Sequence, residues 1–153
     1  MSEEKVAKNL TEFVNRVLVL SQLSLSLSVT TTEEPKSINV ELSGDDVSYL
    51  LGHNGELLNA LEYLANKNYG RFLTEDTRIV FDSSDFRNMR AKELTLMAKH
   101  AAERVRLTKQ PFTFEPMSPN ERRIVHLALS EFNDVRTESH GEGDDRKVMI
   151  CLA

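Results

Sequence analysis

The chain has a single cysteine, Cys151, so no internal disulfide can staple it, and no other ligand stands around that residue at zinc-finger spacing. A reducing cytosol is the compartment this implies. Long hydrophobic runs are also missing. The apolar stretch from Val17 to Leu20 passes into alternating serines too soon for a signal peptide or a membrane span, and the chain begins with the acidic pair Glu3 and Glu4. Catalytic signatures are lacking: there is neither a Walker loop nor a hydrolase elbow, and His126 has no acid and nucleophile at a recognisable spacing. His140, Glu142, Asp144 and Asp145 sit among glycines and read as a flexible acidic loop rather than a metal site. No enzyme, metal or cofactor is expected. Internal repeats and low-complexity tracts are absent too. An excess of positive charge is also lacking: the net charge of -5 argues at first against a nucleic-acid partner, because phosphate contacts need lysine and arginine.

The average conceals a division. Residues 1–85 carry seven basic and fourteen acidic side chains, residues 86–123 nine and four, and the remainder three and six. One locally basic stretch therefore lies between two acidic ones. With 153 residues, 40% hydrophobic and 28% charged, the chain is a folded soluble protein of one ordinary domain or two small ones. Val6, Leu10, Phe13, Val14, Val17 and Leu20 recur at helical spacing. Leu23, Leu25, Leu27 and Val29 alternate with serines, a polar stretch follows from Thr30 to Lys36, and Ile38, Val40 and Leu42 alternate again, predicting two antiparallel strands and a turn. A short helix over 45–51 leads into Gly52-His53-Asn54-Gly55. A second helix follows, burying Leu57, Leu58, Leu61, Leu64 and Ala65, and Arg78 to Asp82 reads as a third strand.

Ser83-Ser84-Asp85 then offers a cap to a helix of about six turns, free of glycine and proline from Phe86 to Thr108, that joins two modules. A short strand at Pro111 to Phe114 and strands over Val135 to Ser139 and Lys147 to Leu152 complete a second mixed module. Between them Ser118 caps a helix, Pro119 takes its first position and Glu121 completes a capping box. Ile124, Val125, Ala128, Leu129 and Phe132 form its apolar stripe, leaving Arg122, Arg123, His126 and Ser130 outside.

These residues suit phosphate and base contact. Guanidinium grips a phosphate with two hydrogen bonds and stacks on bases, and imidazole donates or stacks. Asn120 on the first turn stands where a phosphate meets a helix N-terminus. By itself such a pair is more often a solvated helix face. A Gly-x-x-Gly turn lets backbone amides approach phosphate closely, and by itself is more often a tight turn between helices.

Taken together the motifs resemble a known family. Gly52-His53-Asn54-Gly55, with Leu61-Glu62-Tyr63-Leu64 after it, is similar to the loop of a KH domain of the type II (bacterial) topology, which clamps a single-stranded backbone. Arg122 and His126 reproduce the Arg-x-x-x-His spacing of the R-three-H domain. Asp82, Phe86-Arg87, Arg90, Pro116 through His126, Val135, Thr137, Ser139, Gly141-Glu142, Arg146 and Val148 support the same match, to the Jag family (KhpB, SpoIIIJ-associated protein). The resemblance implies an α+β chain with a KH-like domain over residues 1–83 and an R-three-H domain over 84–153, joined by the long helix. It implies single-stranded RNA, with single-stranded DNA left open, as the ligand of Arg122, His126, Arg123, Asn120 and Arg146, and bacterial post-transcriptional regulation as the role. It also implies a second small KH protein as partner and a functional link to the YidC/SpoIIIJ insertase and to cell-envelope control. Longer members carry a further N-terminal Jag domain, whereas this sequence starts almost directly at the KH-like helix. The family's glycine loop is commonly basic at its centre; here it is His53-Asn54 followed by Glu56, which predicts a weakened contact there. The rival reading is a protein-interaction adaptor whose KH module no longer binds RNA.

Overall fold

The computed structural model describes residues 1–153 and is α+β, with two three-stranded sheets and four α-helices. The chain divides into two compact units, Met1–Arg87 and Asn88–Ala153.

In the first unit, Val6, Leu10, Val14 and Leu18 recur every four residues along α1 (Glu3–Leu20) and are buried. That row ends at Leu18; Leu20, expected in the stripe, is 74% exposed because, two residues on, it lies about half a turn round the helix from it. β1 (Ser26–Glu33) pairs antiparallel with β2 (Lys36–Ser43), and β2 runs parallel to β3 (Arg78–Asp82), in the order β1-β2-β3. Thr30 to Glu33, expected in the turn, continue β1: β-branched threonine suits a strand even where both faces are wet, and only Glu34-Pro35 is left to turn the chain. Ile38, Val40 and Leu42 are buried from β2, and Ile79 and Phe81 from β3.

α2 (Val47–Tyr69) is a helical stretch interrupted at Gly52–Gly55, where the backbone leaves helical geometry, so the expected helices on either side of a glycine loop are present. Leu58, Leu61 and Ala65 face the core, while Leu64, at the margin of that stripe, is 43% exposed. Asn66 ties α2 to β3: its Nδ2 donates to the Ile79 carbonyl at 2.8 Å and its Oδ1 accepts the Ile79 N–H at 3.2 Å.

α3 (Phe86–Thr108) starts within the first unit and continues into the second. Asp82 Oδ1 accepts the N–H groups of Ser83 and Arg87, Ser83 donates its hydroxyl to the Leu42 carbonyl, and Ser84 and Asp85 turn the chain with φ of 51° and 59°. Arg87 donates to the Phe81 carbonyl, to Asn59 and to Glu62. These bonds tie the first turn of α3 to β3 and α2 within the first unit.

In the second unit β4 (Phe112–Thr113), β6 (Lys147–Leu152) and β5 (Val135–His140) form an antiparallel sheet in that order. Ala98, Ala101, Ala102 and Val105 of α3 pack with Val125 and Leu129 of α4 (Pro119–Leu129) and with Phe114, Val135, Val148 and Ile150. The small side chains on α3 allow close approach of the helix to its neighbours. Phe132, expected in the buried stripe, is 37% exposed, with the Arg106 guanidinium 4.9 Å from its ring centre. Arg106 also bonds both carboxylate oxygens of Asp134, which holds that carboxyl below its ordinary range.

Candidate nucleic-acid interface

Ser118 accepts the N–H of Glu121 at 3.3 Å and Pro119 occupies the first position of α4, so the helix starts where the sequence marks it. The capping box is only half made. The Glu121 carboxylate turns to the Arg90 Nε at 2.8 Å, because a charge-assisted bond between two largely buried groups outweighs a return bond to a neutral backbone N–H.

The polar face does not stand free in solvent as the helical wheel suggests. His126 is half-buried over β5: its Nδ1 bonds the Thr137 hydroxyl and its Nε2 the Ser139 hydroxyl at 3.0 Å. Burial, and then the nearby Arg122 charge, push its pKa below the ordinary 6.5. A neutral imidazole has one N–H and one lone pair, and an imidazolium has two N–H groups; hydroxyls serve as partners in both states. Arg122 donates from Nη1 to the Met117 carbonyl at 2.8 Å, and the Met117 N–H donates in turn to the Arg146 carbonyl at 3.2 Å. The Met117 backbone therefore joins the Arg122 side chain to the start of β6. The Arg146 Nε is shielded from solvent and has no hydrogen-bond partner.

The arginines fall into two groups. Arg87, Arg90, Arg106 and Arg136 each pair with an acid: Glu62, Glu93 with Glu121, Asp134, and Glu138 respectively. Arg122, Arg123 and Arg146 make no ion pair, as is also true of Arg16, Arg71, Arg78 and Arg104. Of the sequence-predicted residues, Arg122 and His126 are neighbours and Arg146 meets them through Met117, whereas Asn120 and Arg123 are exposed on α4 without hydrogen-bond partners. Thr137 and Ser139 belong to the arrangement as holders of His126. Their spacing of two residues on a strand, which puts both on one face, is the signal that points to them.

The glycine loop lies in the first unit. His53, Asn54 and Gly55 take φ of 52°, 59° and 79°, and both central side chains are exposed. Gly55 is required twice over: its φ is left-handed, and a Cβ there would come within 2.6 Å of the Phe86 ring. Gly52 has open space around it and no such φ.

The R-three-H domain family matches residues 92–152, which contain Asn120, Arg122, Arg123, His126, Thr137, Ser139 and Arg146. The RNA-binding protein KhpB of Clostridium symbiosum is 36% identical over 141 residues, 92% of this chain and 64% of that protein. The chain belongs to the Jag/KhpB family. The RNA-binding protein KhpB of Bacillus subtilis (strain 168) is 32% identical over 124 residues, covering 80% of this chain and 60% of the relative. That of Streptococcus pneumoniae serotype 2 is 26% identical over 148 residues, 96% of this chain and 44% of the relative. The chain thus spans less than two thirds of the length of each of these relatives. No helix is long and apolar enough to cross a membrane.

Proposed function

We propose that this chain binds single-stranded RNA, chiefly through the face carrying Arg122, His126 and Arg146, as a bacterial post-transcriptional regulator of the cytosol. One observation carries the reading: Arg122 and Arg146, joined through the Met117 backbone beside His126, have no acidic partner, whereas Arg87, Arg90, Arg106 and Arg136 have theirs, so positive charge is available for phosphate at this face. Family relatives named as RNA-binding proteins support it. In mechanism, Arg122 contributes a guanidinium whose Nη1 is anchored on the Met117 carbonyl, and His126 donates to phosphate or stacks on a base. Asn120 and Arg123 extend the contact along α4.

Residues 1–83 are read as the KH-like domain and 84–153 as the R-three-H domain. The element order of the first unit and its helix-loop-helix glycine turn support the former. His53-Asn54 contributes backbone N–H groups without a cation, so its contact is the weaker one. A second reading, an adaptor whose KH module meets a protein, is favoured by the acidic character of residues 1–85 and by exposed Glu56 beside the loop. The second small KH protein and the insertase link belong with that reading and rest on family resemblance.

The test is a titration with oligouridylate RNA at two salt concentrations. Arg122→Ala with His126→Ala should abolish most binding, while His53→Asp with Asn54→Asp should weaken it less. Binding should fall with salt, and the paired Arg122 and His126 variant should show a slope shallower by about 0.7 per lost phosphate contact. Equal affinity in all variants removes the proposed face, and no binding by the wild type favours the adaptor.

A further inference from the structure

Beside β4, on the far side of the sheet from the strand that holds His126, a cleft of about 290 Å³ opens between α3 and the segment Phe112 to Phe114. Met97, His100, Ala101 and Arg104 line it from the helix, and Phe112 and Phe114 from the sheet edge. The two phenylalanine rings meet edge to face, 5.0 Å between centres and 80° between planes, which fixes an aromatic wall. The Arg104 guanidinium lies 5.7 Å from the Phe112 ring centre and makes no ion pair, in contrast to Arg106 two residues on, which is committed to Asp134. His100 and Arg104 stand at the rim. No acidic side chain lines the cleft; Glu103 and Glu115 are exposed nearby.

An aromatic wall, an arginine plane and an imidazole at an otherwise apolar opening are the elements that stack an unpaired base and bond its edge. A nucleobase has apolar faces and a polar rim, and the cleft has the matching distribution. The backbone links it to the proposed RNA face. From Phe112 the chain runs beside β6, with Phe114 N–H on the Val148 carbonyl and Met117 N–H on the Arg146 carbonyl, to the residue that anchors Arg122. That path is on the order of 15 Å at strand rise, a reach that a few nucleotides of extended single strand cover.

Resting on the RNA reading above, we propose that this cleft is a base-stacking subsite: a base of the RNA strand held at Arg122 inserts against Phe112 with the Arg104 guanidinium stacked on it. The backbone is held at one place and a base is read at another, so the subsite contributes base recognition where the Arg122 face contributes phosphate affinity.

The experiment compares the full chain binding an oligouridylate of about twelve nucleotides with an abasic strand of the same length, a span within the range of single-strand sites. Phe112→Leu keeps apolar volume and removes the ring; Arg104→Lys keeps the charge and removes the stacking plane. Each should lower the ratio of oligouridylate to abasic affinity about tenfold, in line with the loss of one stacked base. Arg122→Ala should lower both affinities together. Unchanged ratios in the two cleft variants, with Arg122→Ala still weakening both strands, would overturn the subsite and leave the RNA reading standing. Equal wild-type affinity for the two strands would overturn the subsite as well, and no binding of either strand would overturn both. Circular dichroism checks each fold; Arg104→Lys, which leaves the aromatic wall intact, decides the matter if Phe112→Leu does not fold.

Discussion

His126 is held at both ring nitrogens by hydroxyls, and its environment favours the neutral imidazole. Because its folded-state pKa lies below the unfolded value, the stability this contributes is present above about pH 6.5 and is lost as pH falls through the lowered folded value. A phosphate brought beside the ring reverses the preference, since a nearby anion favours the imidazolium. RNA binding should therefore take up a proton. An NMR titration should find the His126 pKa raised in the complex, and affinity should increase as pH falls below about 6.5; a His126 pKa unmoved by RNA would remove the ring from the phosphate contact. The loop makes a different kind of demand on single residues. Gly55→Ala meets both a left-handed φ and the Phe86 ring, so it should destabilise the first unit by about 1–3 kcal/mol. Gly52→Ala meets neither and should leave the unfolding midpoint nearly unchanged.

Among the elements, α4 is the best specified by local sequence. Ser118→Ala removes its cap and should cost about 1 kcal/mol in denaturant unfolding. Glu121→Ala should cost more, about 1–3 kcal/mol, because it strips one carboxylate from a largely buried Arg90 that Glu93 alone then holds. A smaller loss from Glu121→Ala than from Ser118→Ala would mean that the Arg90 pair contributes little. The same helix shows where sequence reading stops. Period and cap chemistry locate Pro119 to Leu129 because they are local, but the fate of the Glu121 carboxylate depends on Arg90, thirty-one residues away. Likewise Arg122 and His126 are legible as a spacing, while Thr137 and Ser139, which decide how His126 is presented, come into range only when β5 is placed beneath α4. Alternation reveals the strands but cuts β1 short, because exposed threonines give no alternation to read. One bond at the start of α3 escapes sequence reading for a related reason: Asp82, at the end of a strand, accepts the Arg87 N–H across the turn that Ser84 and Asp85 make.

For the molecule as a whole, charge is segregated: an acidic first unit carries the glycine loop, and the second carries arginines left without acids. A uniformly -5 chain would repel RNA; one with unpaired arginines gathered near Met117 offers a local site that salt weakens. The central claim is therefore a claim of place. The most direct measurement is backbone and side-chain chemical-shift mapping of the isotope-labelled full chain titrated with a short oligouridylate. The account predicts the largest changes at Arg122, His126, Thr137, Ser139 and Arg146, with smaller ones at Gly52 to Gly55. Changes confined to the glycine loop, with the Arg122 and His126 signals unmoved, would contradict it.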